Sequence, residues 1–263
     1  MATMADGDIR DDRGTRFFQV SAIIMALVLV AGFSVQVAMG RSTFAAPWVV
    51  HAHALIFFGW TALYLVQATL AGNSAAISLH RRLGWLALLW VPAMVAAGIA
   101  VTVLMVRRGH APFFFTPLYF LIMNPLTVLT FAGLTGAAIV MRRRTQWHRR
   151  LMFCGMTILL GPGFGRLLPM PFLIPLAGWA AFAAIILFPI AGIVRDLRAD
   201  RRVHPAWWWG VGTIVAMQVG IDLIVMSPIG DAIYAGVTAG SPGAALSPAA
   251  YPPPPSGPMI TGR

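Results

Sequence analysis

From residue 17 to residue 39 the chain runs for twenty-three residues without a charged side chain. About 18 apolar residues suffice to cross a bilayer as a helix, the form that satisfies each backbone N–H and C=O within its own segment. Six further apolar stretches follow, at 49–71, 83–106, 115–141, 151–168, 172–194 and 207–229. This pattern predicts an all-α, polytopic membrane protein, a bundle of about seven transmembrane helices occupying residues 17–229. A polar segment, 1–16, precedes it. The first stretch is too long for a signal-peptide core and lacks a small-x-small cleavage site, so it is expected to stay as an anchor. The fifth ends in "GPGFGRLLPMPFLIP", dense in helix breakers, and is expected to stop or bend there. Residues 230–263, rich in Gly, Ala, Ser and Pro, are expected to form a disordered tail.

Charge sets the topology. Charged residues are 10% of the chain against 59% hydrophobic, far below the roughly 25% charged of a soluble domain. The formal charge of +11 comes from arginines in short gaps between apolar stretches, a placement suited to lipid headgroups and not to nucleic acid. Fourteen of the nineteen basic residues, all Arg, lie in the N-terminal segment and in the second, fourth and sixth connections. The positive-inside rule then puts the N-terminus in the cytoplasm and the C-terminal tail outside, in a bacterial inner membrane. The expected partner is the bilayer itself, with quinone or other subunits of a membrane complex beside it. The lone Cys154 provides neither a disulfide framework nor a cysteine metal site.

Seven spans suggest a retinal protein, but that chemistry needs a lysine amine for its Schiff base, and the chain has no lysine. Histidine carries the remaining chemistry. One tetrapeptide, HRRL, occurs twice, in "LHRRLGW" at Leu79–Trp85 and in "WHRRLMF" at Trp147–Phe153, each time where an apolar stretch begins. The two stretches run in the same direction, so His80 and His148 are expected at one depth. That placement suits two axial ligands of one haem iron, and it equally suits a headgroup, quinone or metal site. Arg82 and Arg149 stand beside them, as membrane anchors or as partners for propionates. In the second stretch His53, Trp60, Tyr64 and Gln67 share a helical sector of roughly 60°. Polar stripes on membrane helices face the bundle interior, so His53 is a second candidate cofactor ligand.

The segments "HALIFFGWTALYLVQATL", "LHRRLGWLALLWVPAMVAAGIAV" and "RRRTQWHRRLMFCGMTILLGPGFGRLLP" together resemble a family of uncharacterised bacterial multi-pass membrane proteins. Its histidine layout is distantly similar to that of b-type haem transmembrane cytochromes. The resemblance covers about residues 49–169 and implies His53, Trp60, His80, Arg82, Gly84, His148, Arg149 and Arg166 as the family-like positions. No activity comes with it.

The leading functional expectation is transmembrane electron transfer through b-type haem or quinone, with His80 and His148 as ligands of haem iron. A non-catalytic structural or assembly subunit and a small-solute transporter are the alternatives, and whether the chain is an enzyme stays open. One structural expectation concerns the deepest charges. Arg166 and Asp222 fall at nearly equal depth in the fifth and seventh stretches. A lone charge there costs about 2.5–3.5 kcal/mol on the insertion scale, so the two are expected to form an ion pair.

Overall fold

The computed structural model describes residues 3–42 and 45–254, with side chains from residue 14 onward. It is all-helical. The ten α-helices among the described residues are α1 (Thr3–Ala38), α2 (Trp48–Ala71), α3 (Ile77–Gly84), α4 (Ala87–Arg107), α5 (Pro117–Val140), α6 (Thr145–Ile158), α7 (Gly161–Leu167), α8 (Ala177–Asp200), α9 (Pro205–Val225) and α10 (Pro228–Thr238). Among them six are long and apolar enough to cross a membrane: α1 from Gly14, α2, α4, α5, α8 and α9.

Local chemistry explains the limits. At the start of α5 the Thr116 hydroxyl accepts from the Tyr119 N–H at 3.2 Å, and Pro117 takes a first-turn position where its missing N–H costs nothing. α9 begins the same way, with His204 Nδ1 accepting from the Ala206 N–H and Pro205 next in line. α4 ends at a glycine, Gly109, whose φ of 74° a side chain would resist.

The fifth predicted span is divided. Pro162 has no N–H to offer the carbonyl of Ile158, and α6 stops at that residue. After a turn at Leu159 and Leu160, α7 carries the chain on. Neither piece is long enough to cross alone. The segment containing the first HRRL copy also differs from expectation. It is a separate short helix, α3, joined to α4 by a turn in which Trp85 and Leu86 donate to the carbonyls of Arg82 and Leu83.

α6 is the hub. It packs on α5, α8, α9 and, more lightly, α1, and every residue from Arg150 to Ile158 except Met152 is buried. Glycines let neighbours approach, as in many membrane bundles. A Cβ on Gly192 of α8 would lie 2.2 Å from the Trp207 ring of α9, and one on Gly32 of α1 would lie 2.7 Å from the Gly163 carbonyl of α7.

The expected disordered tail is a correction for its first part. Residues 228–254 fold back onto the bundle. Tyr234 of α10 is buried and donates to the Gly243 carbonyl at 3.0 Å. Arg107 donates to the Val237 carbonyl at 2.6 Å, and the Leu118 N–H to the Pro248 carbonyl at 3.0 Å. The reason is local: Tyr234 and its partly buried neighbour Val237 pack with Leu118, Leu121 and Ile221, enough apolar side chain to hold a Gly- and Pro-rich segment. Residues 255–263 of the tail lie outside the described residues.

Candidate functional site

The two HRRL histidines meet. Their ring centres are 6.3 Å apart with planes at 85°. Each ring is oriented by a carbonyl on the preceding long helix: His80 Nδ1 is 3.3 Å from the Gln67 carbonyl, and His148 Nδ1 is 2.8 Å from that of Ala138. A carbonyl only accepts, so the proton of each bond belongs to Nδ1. In the neutral ring that leaves Nε2 with its lone pair. Gln67 closes a reciprocal clasp by donating Nε2–H to the His80 carbonyl at 3.1 Å, which ties α3 to the end of α2. Burial pushes the His80 pKa below its usual 6.5, and the neighbouring His148 and Arg81 push it the same way, against the Gln67 contact. The arrangement favours a neutral, ligand-ready imidazole.

The donor set suits haem better than a bare metal ion. Among the described residues no three His, Cys, Asp or Glu side chains gather as a metal site, and a bare zinc or copper ion needs more than two protein donors. Haem iron needs two at most, since the porphyrin supplies the rest. The two side chains, with ring centres 6.3 Å apart, are near enough to each other to supply both protein donors. Carbonyl-bound Nδ1–H groups are also the usual support of metal-ligating histidines. The pair fits.

The other predicted residues disperse. Arg82 is exposed on α3 near His80. Arg149 turns instead toward α1, over the Phe18 ring at 4.9 Å and bonded to Gln146 at 2.5 Å. His53 stacks on Phe57 at 4.2 Å. It lies fourteen residues, about 21 Å of helix, from Gln67, so it does not join the pair. The stripe on α2 does carry polar groups inward: His53 Nδ1, Trp60 Nε1 and Gln67 Oε1 are buried and have no hydrogen-bond partner within the described residues.

Arg166 and Asp222 are a correction. Arg166 donates to the Pro162 carbonyl at 2.9 Å and lies over the Phe33 ring at 3.9 Å. Asp222 accepts from Trp179 Nε1 at 3.0 Å. Its own helix, α7, supplies Arg166 with a carbonyl one turn back and α1 supplies it with an aromatic face, so the two charges are satisfied separately. The buried ion pair joins other residues. Arg150 reaches both oxygens of Asp196 through Nε and Nη2 at 2.8–3.1 Å, and the two side chains are 3% and 1% exposed. Trp207 Nε1, the His204 N–H and Arg195 complete the carboxylate's shell. The second arginine of the second HRRL copy is therefore an internal strut and not a headgroup anchor. Its sequence signal was weak, because Asp196 sits in the charge-dense "RDLRAD", which reads as a solvated helix end.

No protein family, curated protein or solved structure matches the chain.

Proposed function

We propose that this chain is a multi-pass electron-transfer protein that binds b-type haem at one end of its bundle, where His80 and His148 would hold the iron. The observation that carries the reading is the pairing of these rings at 6.3 Å with both Nδ1 atoms committed to carbonyls. When bound, haem supplies a one-electron couple. The chain's own contribution is to hold both imidazoles in the Nε2-basic tautomer, to keep His80 neutral by burial, and to offer Arg82 to propionates. With α6 and α7 crossing together as a seventh span, the arginine distribution supports a reading in which this end faces the cytoplasm of a bacterial inner membrane and the C-terminal segment lies outside.

The test is the visible spectrum of protein purified from haem-replete cells, oxidised and dithionite-reduced. A Soret band that shifts on reduction, and is lost in His80→Ala and in His148→Ala, is expected. A colourless protein overturns the haem reading. One observation favours quinone as a second reading: Gln67 Oε1 is a buried, unpartnered acceptor beside His80, where a hydroquinone O–H would find a partner. Quinone in a solvent extract of the colourless protein, lost in Gln67→Leu, is its mark.

A further inference from the structure

We infer that the groove between α1 and α8 is a site for one anionic glycerophospholipid. The groove holds about 540 Å³ and is lined by Arg16, Phe17, Ser21 and Ile24 on α1 and by Leu187 and Ala191 on α8, among others. Arg16 and Ile24 are eight residues apart, about 12 Å of helix, most of one leaflet of a hydrocarbon core about 30 Å thick. The body of the groove is apolar, as an acyl chain requires.

Its mouth is cationic. Arg16 stands at one end of the groove on α1. Arg195 lies four residues beyond Ala191, at the same end because the two helices run antiparallel along the groove. Arg195 spends Nη1 on Asp196 and Asp200 and turns Nη2 toward Gly14. A Cβ on that glycine would be 3.0 Å from Arg195 Nη2 and 3.6 Å from both terminal nitrogens of Arg149. Guanidinium groups from α6 and α8 thus converge on Gly14 of α1, which has no side chain and lies two residues from Arg16. Guanidinium groups bind phosphate oxygens through paired, charge-assisted hydrogen bonds. A phosphodiester headgroup at this mouth with one chain in the groove uses both features together. This site is independent of the paired histidines.

The experiment titrates delipidated full-length protein in detergent with phosphatidylglycerol, phosphatidylcholine or glycerol phosphate, reading the bound stoichiometry by native mass spectrometry and the unfolding midpoint. One phosphatidylglycerol per chain is expected, preferred over phosphatidylcholine. Ala191→Trp, which fills an exposed position in the groove, should abolish it, and Leu187→Trp serves as a second filling variant. Arg16→Gln should weaken binding by about fivefold, the worth of one arginine near anionic headgroups. Each variant is compared at unchanged lipid-free helicity. Equal binding of the two lipids, binding that survives both tryptophans, or a full midpoint shift with glycerol phosphate alone would overturn the inference.

Discussion

Asp196 accepts from Arg150, Arg195, Trp207 and the backbone of His204, and that shell makes the two halves of the ion pair unequal. Asp196→Leu strands a buried guanidinium, an indole N–H and a backbone N–H, so it should cost about 3–5 kcal/mol. Arg150→Met leaves the carboxylate with three other donors and should cost less. Denaturant unfolding in detergent of both variants checks the order. Arg166→Leu and Asp222→Leu should instead be additive within about 0.5 kcal/mol, since each side chain has partners of its own. Acid should also act through single residues. His80 and His204 have folded pKa values below 6.5 through burial, so the unfolded chain takes up protons at higher pH than the folded one. Stability therefore rises with pH across the window from the depressed values up to about 6.5, and falls on acidification. Protonating His204 also removes the acceptor that caps α9. The unfolding midpoint should drop between about pH 7 and pH 5, with a smaller drop in His80→Ala. The candidate histidines were legible because one tetrapeptide occurs twice. Their orienting partners were not, because a carbonyl from Gln67 or Ala138 has no sequence signature. Arg150 and Arg149 look alike in HRRL, and only packing separates a buried strut from a side chain turned toward α1.

The long helices could be read from length alone: at α2, α5 and α9 the predicted limits fall within about four residues of the observed ones, the usual uncertainty of such boundaries. Where a helix is short, apolar run length fails. α3 is amphipathic and was read as the threshold of a span, and α6 hides two arginines inside the bundle. Asn124 illustrates a limit within a helix. It stands directly before Pro125, and its amide donates to the Phe120 carbonyl at 2.8 Å in its own helix. Gln218 does join two helices, donating to the Tyr119 hydroxyl at 3.0 Å. Packing between α8 and α9 depends on Gly192, whose added Cβ would enter the Trp207 ring. Trp207 is fully buried and held by Asp196, so it has little room to yield. Gly192→Ala should destabilise by about 1–3 kcal/mol, measured by thermal unfolding. Gly212→Ala on α9, where an added Cβ meets nothing within 4 Å, is the control.

At the scale of the whole molecule, the arginine counts predict an orientation that labelling can check. A cysteine at Ser247 should react with an impermeant thiol reagent in intact spheroplasts, and one at Arg143 should not. The reverse pattern would invert the topology. Ser247 is a fair probe because the segment around it is held in place by the Leu118–Pro248 contact. The enclosure of α6 bears on how the chain is made. This helix has fourteen residues, too few to span alone, and near its start a buried arginine, Arg150, paired with a carboxylate. Yet its partners Asp196 and Trp207 belong to α8 and α9, which leave the ribosome later. The burial of α6 is therefore complete only once α8 and α9 have been made. A released chain ending at residue 176 should accordingly leave Cys154, fully buried in the finished protein, open to maleimide, and the complete chain should close it. Biogenesis here is a folding reaction with its keystone set last.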